Sequence, residues 1–269
     1  MTAIAHPTAH VREAGHGAAL VCIHASASSG AQWRPLMERL AERFRIMAVD
    51  LYGSGHSPEW PGGRPLSLAD EVALLEPVFA AAGPRFHLVG HSYGGAVALK
   101  AALTDPGRLA SLVLYEPVLF SLLTAEDPDQ PAAQEIIAVR DDTSAAIDRG
   151  DLAGAAARFI DYWMGAGTWA GMPEARRASI APAMRSVNGH WRAAFGEPAP
   201  LHAFAEVDTP TACLVGRESP AASRRVTALL AKTLPRVTVA EIEGVGHMGP
   251  VTHPHRINVL IEEHIDQHH

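Results

Sequence analysis

Apolar residues along this chain come in short, near-continuous runs separated by stretches in which they recur every three to four positions. The runs are Ala19–His24, Arg45–Asp50, Phe86–Gly90, Leu109–Tyr115, Thr211–Gly216 and Val237–Ile242. They are too short for typical helices and rich in Val, Leu and Ile, the pattern of strands buried on both faces. Between them, helical spacing predicts helices over Trp33–Phe44, Ser67–Ala82, the small-residue run Ala96–Leu103, Ala221–Thr233 and Pro254–Gln267. Ser67 stands as an N-cap, with Asp70 and Glu71 in the first turn behind it. Alternation of this kind predicts an α/β fold: a mostly parallel, doubly wound sheet with helices on both faces.

The rhythm breaks between Phe120 and Pro200, where only helical segments are read: Pro131–Arg149, Leu152–Met164 and Glu174–Val187. The simplest arrangement is a core formed by 1–118 and 201–269, with 119–200 inserted between two strands as a helical cap, or lid. The insertion is rich in large apolar side chains (Phe159, Tyr162, Trp163, Met164, Trp169, Met172, Met184, Trp191, Phe195). Two roles are open to them, gluing the cap to the core and lining an apolar pocket.

Composition narrows the class. Of 269 residues, 48% are apolar and 19% charged, enough to bury a large core and unlike a disordered chain. A net charge of −7 with scattered Lys and Arg gives no reason to expect nucleic acid or an anionic membrane as partner. A small-molecule substrate and a monomer or homodimer are expected. Cys22 and Cys213 both fall inside strand runs and read as buried thiols. The stretch Met1–Pro7 lacks a leader pattern, and no apolar run approaches the ~18 residues of a membrane span, so a cytoplasmic protein is expected. Fifteen histidines raise the question of a metal, but they are dispersed and His-Glu-x-x-His is absent, so no metal site is expected.

The stretch with the most chemical content is Gly90-His91-Ser92-Tyr93-Gly94-Gly95, set between a strand run and a helical run. G-x-S-x-G in that context describes a sharp turn that lifts the serine hydroxyl clear of the sheet edge. A serine hydroxyl needs a base to take its proton. His247, in the Gly-rich segment Glu243-Gly244-Val245-Gly246-His247 after the last strand, projects over the same edge, whereas His91 points away from the serine. An oxyanion would need two N–H donors, expected from Tyr93 and from Ser26 in the small polar loop His24-Ala25-Ser26-Ala27-Ser28-Ser29. Asp50, which opens Asp50-Leu51-Tyr52-Gly53-Ser54-Gly55-His56-Ser57, reads as a turn-pinning carboxylate.

These motifs, in this order, resemble the α/β-hydrolase superfamily over residues 19–118 and 208–267. The resemblance implies a hydrolase of esters, amides or thioesters that works through Ser92 and His247 without a cofactor, beneath a helical cap. It also implies a third member, an acid. The family's usual position is the aspartate of a Gly-x-x-Asp loop, but here that loop reads Gly216-Arg217-Glu218-Ser219, with serine in the aspartate's place. Glu218 can serve by shifting one residue. The favoured alternative is Glu116, at the end of Leu112-Val113-Leu114-Tyr115-Glu116, where some relatives carry their acid. Ester hydrolysis of a small, partly apolar substrate through an acyl-enzyme is the activity expected. Relatives that act as cofactor-free lyases, perhydrolases or C–C bond hydrolases supply a rival, and a slow-turnover ligand-binding protein supplies another.

Overall fold

The computed structural model describes residues 7–269. The opening stretch 1–6, in which no leader pattern is read, lies outside the described residues. Among the described residues, seven strands form one sheet: β1 (Val11–Ala14), β2 (Ala18–Ile23), β3 (Phe44–Val49), β4 (Phe86–His91), β5 (Leu109–Tyr115), β6 (Thr211–Gly216) and β7 (Val237–Ile242). Their spatial order is β1-β3-β2-β4-β5-β6-β7, with β1 antiparallel to β3 and all other pairs parallel. The expected doubly wound, mostly parallel sheet is therefore present.

Alternation within the strands sorts their side chains to two faces. Val21 and Ile23 of β2 join one apolar cluster, which includes Leu75 and Phe79 of α2 (Leu68–Ala82) and Val97 of α3 (Tyr93–Thr104). Leu20 and Cys22 join the other, which includes Leu36 and Leu40 of α1 (Arg34–Leu40) and Ile257, Ile261 and Ile265 of the last helix (Pro254–Asp266). Each such buried Ile contributes about 1.5–3 kcal/mol relative to exposure, so that helix is held mainly by one apolar stripe. At the start of α2, Ser67 and Asp70 form a reciprocal capping box, and Arg64 bonds Asp70 from the preceding loop.

Between β5 and β6 the described residues hold no strand. They form α4 (Phe120–Glu126), α5 (Pro131–Asp148), α6 (Leu152–Met164), α7 (Thr168–Gly171), α8 (Glu174–Ile180) and α9 (Met184–Gly196). After β6 come α10 (Ala221–Thr233), and beyond β7 α11 (Gly249–Thr252) and α12, the last helix already described. None of these helices is long and apolar enough to cross a membrane.

Two expectations need correction, and one strand goes unread in the sequence. The helix expected over Glu174–Val187 is two helices, because Pro182 sits in a 3-10 turn over Ala181–Ala183 and cannot donate within a continuous helix. The helix expected to run to Phe44 ends at Leu40, and Phe44 begins β3 beside Ala18. Strand β1, Val-Arg-Glu-Ala, was not expected. It is a short, half-exposed edge strand whose partner supplies the order, with Arg45 of β3 bonding its Glu13 at 2.5 Å.

The sheet reverses its winding between β2 and β4, leaving a crevice at the carboxyl ends of those strands, the usual ligand position in open α/β sheets. Register aligns those ends: Ile23 pairs Gly90, Gly90 pairs Leu114, and Tyr115 pairs Leu214. The residues that follow, His24, Ser92, Glu116 and Gly216, are thereby brought to one rim.

Beneath that rim α2 buries Glu71 completely. Its carboxyl meets the Tyr52 N–H and the Tyr93 hydroxyl, each at 3.2 Å, and burial pushes its pKa up to about 8. Ionisation is thus easier in the unfolded chain, near 4.5, than in the fold. Between those values the folded state binds the extra proton, so this group's contribution to stability is complete below about pH 4.5 and declines as pH rises through about 8. Glu71→Gln, which keeps the shape without the titration, should flatten the fall in Tm across that window. Near pH 8.5 the variant should be the more stable by a few kcal/mol on the order set by such a shift. Parallel melting curves of the two proteins from pH 5 to 8.5 would contradict this.

Candidate active site

Ser92 follows β4 and precedes α3 with φ 56° and ψ −116°, a conformation that costs a non-glycine residue about 1–3 kcal/mol. Its N–H bonds the Tyr115 carbonyl at 2.9 Å, and its own carbonyl accepts from Gly95, Ala96 and Val118, which fixes the turn. Gly94 is required by proximity: a Cβ there would collide with the carbonyl oxygens of Ile23 and His24 at the end of β2. The same holds for Gly90, against the backbone of Gly94 and Gly95. Among the described residues, the non-glycine positions with positive φ are Ala27, Ser92 and Glu116. All three sit on the rim at the carboxyl ends of β2, β4 and β5, so the backbone strain is concentrated in one place.

Ser92 and His247, both buried, meet with Nε2 2.9 Å from Oγ. On the other side of the imidazole, Nδ1 lies 2.6 Å from Glu116 Oε2. Glu116 is therefore the carboxylate in contact with the imidazole, and Glu218 is not. Glu218 is exposed, its N–H bonds the Val245 carbonyl, and its carboxylate makes no hydrogen bond among the described residues. The serine that replaces the usual aspartate has a visible task. Ser219 Oγ donates to Glu116 Oε1 at 2.5 Å, and the Gly216 N–H donates to the same oxygen at 2.7 Å. Ser223 Oγ on α10 lies 3.0 Å from Oε2. Each carboxylate oxygen thus has two partners, close to its full capacity, as burial of an anion requires.

The histidine loop is tied from two sides. Tyr115 donates to the Gly246 carbonyl at 2.7 Å, and His91 Nε2 donates to the His247 carbonyl at 2.9 Å. His91 Nδ1 accepts from Gln32 at 3.0 Å, and the Gln32 carbonyl accepts the Ala25 N–H at 3.3 Å. Burial, seconded by the neighbouring His247, holds His91 well below the usual imidazole pKa, so it remains neutral and can donate on one side and accept on the other. The side chain that points away from Ser92 instead connects the histidine loop to the donor loop. In that loop, His24 Nδ1 bonds the Ala25 carbonyl and its Nε2 accepts the Leu51 N–H. Asp50 pins the neighbouring turn, accepting from Gly30 and His56, and these bonds keep its carboxyl below the usual range despite burial.

The N–H groups of Ser26 and Tyr93 have no hydrogen-bond partner among the described residues. A cavity of about 10 Å³ lies over Ser92, walled by Ser26, Tyr93, Val118, Phe159, Trp163 and side chains of α9. Of the large apolar residues between 119 and 200, Phe159, Trp163 and Trp191 line this cavity, and Met184 is buried in the core. Outside it lies a cleft of about 670 Å³, which His247 also borders. Trp163 borders both spaces, and its indole stacks on the His247 ring with centroids 4.0 Å apart. Sequence reasoning named Trp163 among the pocket candidates, and it missed His190, Gln32, Ser223 and the task of Ser219. Only Ser219 carried a signal, its place in the Gly-x-x-Asp position. No cluster of three or more metal-ligating side chains occurs among the described residues.

With this geometry in hand, comparison places the chain. The sequence pattern of the Alpha/beta hydrolase family matches residues 20–259, and the chain belongs to that family. Curated relatives include a "Pimeloyl-[acyl-carrier protein] methyl ester esterase" of Aliivibrio fischeri, 39% identical over 99 residues, or 37% of this chain and 36% of that protein. A protein of the same name from Xanthomonas campestris pv. campestris is 43% identical over 97 residues, 36% of each. The match thus spans little more than a third of the length of these relatives. Among solved structures, a thermophilic esterase from Thermogutta terrifontis superposes with a TM-score of 0.74 at 26% identity, covering 97% of this chain and 94% of that one. A hydrolase from Oleispira antarctica gives 0.78 at 18% identity, with 95% and 94% covered, and shows the likeness of fold.

Replacement of Gly94 by Ala tests the close approach of strand and helix at the elbow. It should lower the stability measured by chemical denaturation by more than about 2 kcal/mol. A loss below about 0.5 kcal/mol would show that the junction has slack.

Proposed function

We propose that the chain is a serine-dependent carboxylic-ester hydrolase of small, partly apolar substrates, acting through an acyl-enzyme. The observation that carries this reading is the unbroken hydrogen-bonded series Glu116–His247–Ser92 beside two unpaired backbone N–H groups. The names of the partial relatives, methyl ester esterases, and of the Thermogutta terrifontis esterase support an ester as the bond attacked.

Glu116 accepts a hydrogen bond from Nδ1–H of His247, which keeps that proton on Nδ1 and leaves Nε2 free to take the Ser92 proton as Oγ attacks the ester carbonyl. Negative charge then grows on the carbonyl oxygen, where the N–H groups of Ser26 and Tyr93 receive it as the oxyanion hole. His247 returns the proton to the departing alcohol, and the acyl group remains on Ser92. Water entering beside His247 loses a proton to Nε2 and attacks the acyl carbon; as the acyl–Oγ bond breaks, Nε2 passes that proton to Oγ, releasing the acid and restoring serine and neutral histidine. The positive charge on the imidazole is offset by Glu116, which its four partners keep in place. No step requires a metal or an organic cofactor. Residues 119–200 serve as the cap, supplying the apolar walls over Ser92.

Chromogenic short-chain esters test the reading. Turnover should fall by about 10⁴-fold or more in Ser92→Ala and by about 10³–10⁴-fold in Glu116→Gln. Glu218→Gln should change kcat by less than about threefold, and Glu218 dependence with Glu116→Gln fully active would contradict the assignment. Absence of turnover together with ligand-induced stabilisation would favour a binding protein instead.

A further inference from the structure

One polar residue interrupts the apolar stripe that α9 buries. Met184, Val187, Trp191 and Ala194 recur at helical spacing and pack into the core, and His190 stands among them, 2% exposed. A histidine buried in such a stripe is costly unless its ring nitrogens find work. Its Nδ1 lies 3.0 Å from Ser26 Oγ, and its ring stacks on Tyr93 with centroids 4.1 Å and planes 18° apart. The ring is also set against the Tyr52 main chain. Burial, seconded by the nearby His24, lowers its pKa to about 3 against the opposing effect of Tyr52, so the imidazole is neutral.

Ser26 and Tyr93 are the two residues whose unpaired N–H groups stand with Ser92 at the cavity, and both meet this one imidazole. They are unequally secured. Tyr93 opens α3, and its hydroxyl donates to the buried Glu71 at 3.2 Å. Ser26 lies in a turn, outside any helix or strand, and the contact with His190 is the one hydrogen bond it makes among the described residues. Next to it Ala27 has a φ of 54°, a conformation that persists only where its surroundings hold it. The peptide plane that carries the Ser26 N–H is held at the Ala25 carbonyl by His24 Nδ1, at 2.7 Å. His190 holds its other end, through the Ser26 side chain.

We propose that His190 is a positioning residue through which α9 sets the Ser26 N–H, together with that of Tyr93, for the oxyanion. The proposal rests on the ester-hydrolase reading and deepens it: the segment between β5 and β6 becomes a working part of the site as well as its cover. An oxyanion develops only in the transition state, so a misaligned donor lowers kcat and leaves KM nearly unchanged.

Two substitutions remove the contact from opposite ends. His190→Phe keeps a ring on Tyr93 and loses Nδ1; Ser26→Ala keeps the N–H and loses Oγ. With a chromogenic short-chain ester, each should lower kcat by about 10- to 100-fold, with KM within about threefold. The double variant should be no more than about threefold slower than the slower single one, since both delete the same contact. His190→Asn, whose amide occupies the place of Nδ1, should recover most of the loss. A trifluoromethyl ketone adds a second readout. Ser92 Oγ bonds to its carbonyl carbon, the Ser92 proton passes to His247, and the carbonyl oxygen becomes the anion. Its inhibition should weaken in proportion to kcat, which packing damage away from the oxyanion would not produce. Should His190→Phe melt below the assay temperature, Ser26→Ala and the ketone decide. A kcat within about threefold of the unaltered protein in either single variant, a loss carried by KM alone, or losses that multiply in the double variant would overturn the proposal. Turnover that ignores both substitutions removes this proposal alone, whereas no ester turnover by the unaltered protein removes the hydrolase reading and the proposal with it.

Discussion

The Glu116 carboxylate is the charge around which this rim is organised. Fully buried, it would be prohibitively costly without partners, and its partners come from segments far apart in sequence: the end of β6, the loop after it, the start of α10 and the histidine loop. Satisfying one anion therefore fixes the relative positions of residues 116, 216–223 and 247. The positive φ of Glu116 turns its side chain under the imidazole, and the Glu116 N–H still reaches the Leu214 carbonyl, so the bend is made without sacrificing the sheet. Ser219, in the position where the Gly-x-x-Asp loop would carry its aspartate, is one of the donors that satisfy the buried Glu116 carboxylate.

A second set of contacts ties the nucleophile's neighbours to one another. His91, one residue before Ser92, holds the main chain of His247 and, through Gln32, the donor loop at Ala25. The main chain of His247 and the loop at Ala25 are thereby held from the same short turn that strains the serine. Each strand end contributes one strained residue, and the network between them keeps all three in place. The aromatic residues between β5 and β6 close this assembly from above, with the Trp163 indole lying directly on the His247 ring.

Much of this was legible in the sequence because it depends on local rules. Strand-like runs, Ser67 as a cap and G-x-S-x-G at a strand-to-helix junction each follow from a few adjacent residues, and the parallel sheet follows from their alternation. Parts that depend on distant partners were less legible. Strand β1 has little apolar content of its own and is ordered by pairing with β3. The interruption at Pro182 was visible as a residue, but its consequence for the helix was outweighed by the surrounding pattern. Between Glu116 and Glu218 the sequence offered a preference grounded in strand burial, and the four-donor pocket at Glu116 appears only once residues a hundred positions apart are brought together.

Activation of one hydroxyl by a histidine aligned on a glutamate is most directly measured by covalent trapping. A p-nitrophenyl alkylphosphonate should release one equivalent of p-nitrophenolate and leave its phosphonyl group on Ser92, located by peptide mass mapping. The same reaction should be slowed by orders of magnitude in Glu116→Gln. Modification at another residue, or trapping at Ser92 that proceeds equally fast without the Glu116 carboxylate, would contradict the account.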